Sequence, residues 1–173
     1  SAYTALMEDV GDLSALQGPS QSAGSDANHI KFDVRAVQTK LEAMLKHWSN
    51  ETVYGPAPIE QIQRLAEQWR LPFEDLGNGT GVVKYNVKPI EIMLKDLQDE
   101  KPGEDGKVDW MMGRYNAWNV TLTSQCEQIQ GEFRLLGDLA RNALAQYNTL
   151  LEALSATITS NRESCLQYAR GLG

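Results

Sequence analysis

The chain has 173 residues with 16 Lys and Arg against 23 Asp and Glu, a net charge of −7, so it lacks the cationic surplus that a nucleic-acid backbone calls for. Hydrophobic residues make up 42%, enough to build a core and too many for a chain disordered throughout. No apolar run approaches the ~18 residues of a membrane helix, and the start on Ser1 without a basic-then-apolar leader predicts a processed piece of a longer protein.

Residues 2–17 place Tyr3, Leu6, Met7, Val10, Leu13 and Leu16 at three- and four-residue steps, the stripe of an amphipathic helix that Gly18 and Pro19 should stop. The small polar residues 20–27 read as a loop tip. His29 to Asp33 alternates as a short strand, and the helix after it carries Val37, Leu41, Met44, Leu45 and Trp48 on one face. Pro56 and Pro58 argue against regular structure over residues 54–58. Ile59, Ile62, Leu65, Ala66 and Trp69 then mark another helix. Residues 71–76 and 82–87 flank the glycine-rich turn 77–81 and predict a β-hairpin. Pro89 suits the first turn of a helix in which Ile90, Met93, Leu94 and Leu97 share a face.

Residues 99–106 form an acidic, exposed turn. From Val108 to about Leu172 there is no proline, and a single long helix is predicted. Its apolar residues Cys126, Ile129, Phe133, Leu136, Ala140, Ala143, Tyr147, Leu150 and Leu154 step alternately by 3 and 4, an a/d seam. A second step of 4 to Ile158 shifts the phase before the seam resumes through Asn161, Cys165, Tyr168 and Leu172. A helix over residues 108–173 would span ~99 Å. Its 6 acids against 5 bases leave it nearly neutral. Cys126 and Cys165 would lie ~58 Å apart along it, far beyond the about 7 Å that a disulfide tolerates. Gly113, Gly131 and Gly137 each cost about 1 kcal/mol inside a helix, which suggests either close approach of another backbone or tolerance in a helix held by packing.

No constellation for catalysis appears. His29 and His47 have no acid or thiol at ligand spacing. The 77–81 glycines lack a following Lys-Ser/Thr and lead into a strand, unlike a phosphate loop. Glu74-Asp75, Asp99-Glu100 and Glu104-Asp105 sit in turns without a calcium-loop pattern, and Ser155, Ser160 and Ser164 have no histidine beside them in the helix. Trp110, Tyr115 and Trp118 open the long helix, where they serve as structural anchors for the hairpin and small helices or, alternatively, line an apolar groove for an amphiphilic ligand. A full apolar seam needs cover that the short first helix cannot supply alone; the small α/β insert between Asp33 and Gly106, a missing N-terminal segment or other chains can supply it, and the last of these points to an assembly protein.

The segment Arg114-Tyr115-Asn116-Ala117-Trp118-Asn119 resembles the Lys/Arg-Tyr-Gln-Ala-Trp-Asn signature of the needle-tip proteins of bacterial type III secretion systems, the IpaD, SipD and BipD family. Leu154-Ser155-Ala156-Thr157-Ile158-Thr159 is similar to that family's Leu-Ser-Ser-Thr-Ile-Ser. Ile30-Lys31-Phe32-Asp33-Val34 and Gly81-Val82-Val83-Lys84-Tyr85-Asn86, with Pro89-Ile90 and Met93-Leu94-Lys95 following, resemble two further segments in the same order.

The resemblance implies a mainly α, α+β fold: a long antiparallel coiled coil with a small mixed α/β domain between its helices. The segments are then 1–28 (first coil helix and loop), 29–107 (α/β insert) and 108–173 (long C-terminal helix), with the family's N-terminal helical hairpin, which covers the coil, missing before Ser1. It implies a secreted, non-enzymatic protein on the needle tip that senses host signals, controls secretion and recruits translocator proteins. Assembly as a pentamer on the needle subunit and binding of a bile-salt-like amphiphile are further implications, with no cofactor or metal. The needle-docking residues are then Leu150, Leu154, Ile158, Asn161 and Cys165. A rival reading from another class is a cytoplasmic secretion chaperone or adaptor that holds a client helix on the same seam.

Overall fold

The computed structural model describes residues 2–16 and 21–172; the predicted helix stop at Gly18 and Pro19 lies outside them. The fold is α+β and mainly α. The chain divides into two units, Ser1–Gly131 and Glu132–Gly173.

The first unit holds α1 (Ala2–Ala15), β1 (Gln21–Ala23), β2 (His29–Phe32), α2 (Val34–Asn50), β3 (Thr52–Pro58), α3 (Ile59–Trp69), β4 (Phe73–Asp75), β5 (Thr80–Lys84), α4 (Lys88–Leu97), β6 (Val108–Met111) and the start of α5 (Met112–Leu172). Each helix follows from its pattern. Asp33 caps α2 by accepting the Ala36 N–H at 3.0 Å, and Val34, Val37, Leu41, Met44 and Trp48 form its buried face. In α4, Pro89 occupies the first turn, where its missing N–H costs nothing, and Ile90, Met93 and Leu97 turn inward. α3 ends on Arg70 in the left-handed conformation, with the Arg70 and Leu71 N–H groups donating back to Glu67 and Ala66 carbonyls. Leu6, Val10 and Leu13 of α1 are buried.

Two three-stranded antiparallel sheets complete the unit, in the orders β1-β2-β6 and β3-β5-β4. The predicted hairpin is β4 and β5, with its second arm ending at Lys84. Gly77 and Gly79 take φ of +79° and +81° in the turn, which only glycine adopts without strain. Ile62, Ala66 and Val83 form a cluster under this sheet.

Three sequence expectations need correction, all concerning edge strands. Residues 21–23, read as loop, are β1 and pair with Phe32, Lys31 and Ile30 of β2. An edge strand needs only main-chain partners on one side, so small polar residues suffice. Residues 54–58, judged irregular, belong to β3. Among the described residues it pairs with β5 alone, with shifts of register between Thr52 and Tyr54 and between Tyr54 and Ala57; at an edge, prolines can face away from the ladder. Residues 108–111, assigned to the long helix, are β6, paired residue by residue with His29 to Phe32, and α5 begins at Met112. The first sheet thus draws one strand from each of the segments 1–28, 29–107 and 108–173.

The second unit is the remainder of α5, roughly 60 Å of helix.

Candidate docking surface

The second unit is a helix that carries large apolar side chains on its surface. Leu150, Leu154 and Ile158 expose 65%, 53% and 59% of their surface, and Tyr147 and Tyr168 expose 58% and 71%. At about 100° per residue all five fall within an arc of roughly 80°. Asn161 and Cys165 lie on the same stripe and are exposed. Thr149 and Thr157 turn their hydroxyls onto the Ala145 and Ala153 carbonyls, both at 3.0 Å, so these polar groups are satisfied within the helix. Full burial of a large apolar side chain is worth about 1.5–3 kcal/mol, and side chains more than half exposed still have much of that to gain.

Charge is balanced along the helix. Glu132, Asp138, Glu152 and Glu163 match Arg134, Arg141, Arg162 and Arg170, so the whole surplus of acids belongs to residues 1–131. Asp138 and Arg141 pair with each other one turn apart.

The predicted anchors lie in the first unit. Phe32 of β2 is their hub, with ring centroids 5.0 Å from Trp110, 5.8 Å from Tyr115 and 6.3 Å from Trp118. Trp118 and Phe32 are fully buried. The Arg114 guanidinium lies 4.4 Å from the Trp110 ring centroid and pairs with Asp96 at 3.1 Å and Glu100 at 3.4 Å. The seam is also buried at Cys126 and Ile129, and burial pushes the Cys126 thiol up to about 11. Among the described residues, none outside the local helix backbone comes within 4 Å of where a side chain at Gly113, Gly131 or Gly137 would begin.

Sequence reasoning missed a groove of about 550 Å³ between α2 and α4, lined in part by Glu42, Leu45, Lys88, Ile92 and Lys95. Its walls come from helices far apart in the chain, so no local pattern announces it. It also missed the cluster around the β1–β2 turn. There the Asp26 carboxylate contacts His29 Nδ1 at 2.8 Å and accepts the Asn28 N–H at 2.7 Å, while Asp109 of β6 accepts the Ser25 N–H at 3.1 Å. Among the described residues no group of three or more His, Cys, Asp or Glu could hold a metal ion, and no helix is long and apolar enough to cross a membrane.

Comparison with known proteins gives a consistent answer. The family described as type III secretion systems tip complex components matches residues 1–169. Invasin IpaD of Shigella flexneri is 30% identical over 170 residues, covering 92% of this chain and 49% of IpaD. Cell invasion protein SipD of Salmonella typhimurium is 26% identical, covering 99% of this chain and 54% of SipD. A solved structure of BipD, described as a component of the type-III secretion system of Burkholderia pseudomallei, superposes with a TM-score of 0.68 at 18% identity. It covers 94% of this chain and 57% of BipD, a likeness of fold. The chain therefore spans about half the length of the curated relatives it matches. None of these descriptions is that of an enzyme.

Proposed function

We propose that this chain, which belongs to the family of type III secretion system tip complex components, works by docking through the C-terminal half of α5. It is exported by its own secretion system and displayed at the needle end. Leu150, Leu154 and Ile158, with Asn161 and Cys165, take up helices of the needle subunit. Self-association there, as the pentamer that the family resemblance implies, completes the tip, which responds to host signals, controls secretion and recruits translocator proteins. One observation carries this reading: large apolar side chains line one stripe of an otherwise well-formed helix and stay more than half exposed, and a stripe of that kind marks an interaction surface.

Replacing both Leu154 and Ile158 by Asp tests it. Both sites are exposed, so the variant should fold and be exported normally while needles lose their tip protein. Normal decoration would overturn the reading, as would retention inside the cell bound to a client, which is the behaviour of a chaperone.

We propose the α2–α4 groove as the place for a bile-salt-like amphiphile, where Leu45, Ile92 and Leu94 offer apolar contact and Lys88 and Lys95, set among Glu42 and Glu91, offer polar contact for its head group. Titration with a bile salt should shift the NMR signals of Leu45 and Ile92. Shifts elsewhere that leave these two unmoved would overturn the placement.

A further inference from the structure

The second sheet has two edges, β3 and β4, and they differ. β3 carries Pro56 and Pro58 and two shifts of register, features that guard an edge against further pairing. β4 has no proline and keeps an unbroken register, Phe73 opposite Val83, Glu74 opposite Val82 and Asp75 opposite Gly81. All three of its residues are exposed. The Leu76 N–H donates to the Thr80 carbonyl at 3.0 Å and the Lys84 N–H to the Pro72 carbonyl at 2.9 Å. The alternation of an antiparallel ladder then turns the N–H and C=O of Phe73 and Asp75 away from β5, where no strand pairs with them among the described residues.

A cavity lies beside that open edge. One flank of α3 reaches β3, through Gln61 and Trp69 against Tyr54. The other flank, with Glu67 and Arg70, lines a cavity of about 500 Å³ together with Leu71 and Phe73. Phe73 shares the α3 face of the sheet with Val83 and is 44% exposed. A strand added beside β4 would aim the side chain opposite Phe73 into this cavity. Glu67 and Arg70 offset each other at its mouth. Asp75, the next residue of β4 on the same face, is in no ion pair among the described residues, whereas Glu74 on the other face has Lys84 at 3.9 Å.

We infer that β4 is a docking edge for an extended segment of a partner protein, which adds antiparallel as a fourth strand with an apolar residue opposite Phe73 and a Lys or Arg opposite Asp75. Main-chain hydrogen bonds to Phe73 and Asp75 hold the segment, and the cavity and the Asp75 charge select it. Charge complementarity chooses the cation, because Asp75 is the uncompensated group on the face that the added strand shares. Antiparallel pairing puts that cation two residues before the apolar one. A second copy of this chain fits poorly, since two β4 strands paired about a two-fold axis would set Glu74 against its own copy, like charges directly opposite.

The test is NMR titration of the full chain with the blocked peptide Thr-Lys-Thr-Leu-Thr. The expected result is saturable shifts of the Phe73 and Asp75 amides, with the Phe73 proton moving downfield as it gains a hydrogen bond. The same peptide N-methylated at its Leu, which removes the N–H facing Phe73, should lose this response. Asp75→Asn keeps an oxygen for the Gly77 N–H that Asp75 accepts at 2.8 Å, so the turn should hold while the Lys peptide binds about two- to fivefold more weakly. Absence of saturable shifts at the two amides, or equal shifts with the N-methyl peptide, would overturn strand addition. Unchanged affinity in Asp75→Asn would overturn the choice of a basic segment. Shifts of these amides that grow with protein concentration alone would give the edge to a second copy. Repeating the titration on the full-length gene product should reproduce the shifts, and their loss there would overturn the partner by showing β4 covered from within.

Discussion

Asp9 of α1 accepts a hydrogen bond from the indole N–H of Trp48 at 3.0 Å, fastening the first helix to α2. The other carboxylate oxygen of Asp9 accepts from Lys40 Nζ at 2.7 Å. Partial burial opposes the charge on Lys40, and Asp9 together with Asp12 outweighs it, holding the ammonium above its usual value. Trp48 is 2% exposed, so its N–H has no easy recourse to water. Asp9→Ala should therefore cost about 1–3 kcal/mol, measured by urea denaturation, and Asp9→Asn should recover part of the loss. An unchanged midpoint would show that α1 is held by its apolar face alone.

The aromatic hub sets a second expectation. Trp118 is fully buried against Phe32, and Trp118→Ala should destabilise the first unit by about 3–5 kcal/mol. Tyr147→Ala, at a side chain 58% exposed, should change the stability of the isolated chain by no more than about 0.5 kcal/mol. Comparable losses at both positions would mean that Tyr147 is already covered in solution.

The β1–β2 turn should respond to pH in two directions. The hydrogen bond that His29 Nδ1–H donates to the Asp26 carboxylate raises His29 above its ordinary value, and the same bond, followed by the Asn28 N–H, lowers Asp26. Hydrogen bonds from Ser25 lower Asp109. Stabilisation from His29 is present below about pH 6.5 and is lost as pH rises through its elevated folded value. That from the two aspartates is present above about pH 4 and is lost as pH falls through their depressed values. The turn is thus held best between those limits. NMR titration should place His29 above an unstructured histidine, and Asp26→Asn should bring it down; a His29 unmoved by that substitution would exclude Asp26 as the cause.

The two thiols should separate cleanly. Cys165 is exposed and Cys126 buried, with the Cys126 pKa pushed up to about 11. The thiolate is the reactive form, so a thiol reagent at pH 8 should modify Cys165 at once and Cys126 only after denaturant is added. Rapid reaction of both would indicate that the seam opens at Cys126.

Much of this protein was legible locally. The 3.6-residue spacing of Val37, Leu41, Met44 and Trp48 locates α2 and names its buried face. Asn78 and the glycines around it locate the turn of the β4–β5 hairpin. The edge strands β1, β3 and β6 were not legible, because what makes them strands is the main chain of a partner far away in sequence. Trp110 shows the point: its side chain fits the start of a long apolar helix, yet its backbone pairs with Ile30. The candidate docking stripe was fully visible as a pattern, and its residues occupy one face of α5.

The alternation of three- and four-residue steps by itself determined that α5 is a helix with one apolar face, since helical geometry fixes which side chains share a face whatever lies beside them. The tertiary structure alone decided where that face is covered. Cys126 and Ile129 are buried in the first unit, while Leu150, Leu154 and Ile158 remain exposed, because burial depends on which distant elements pack against each turn. The same non-local condition turned residues 108–111 from predicted helix into β6, where the ladder offered by β2 outweighed the helical pattern that follows.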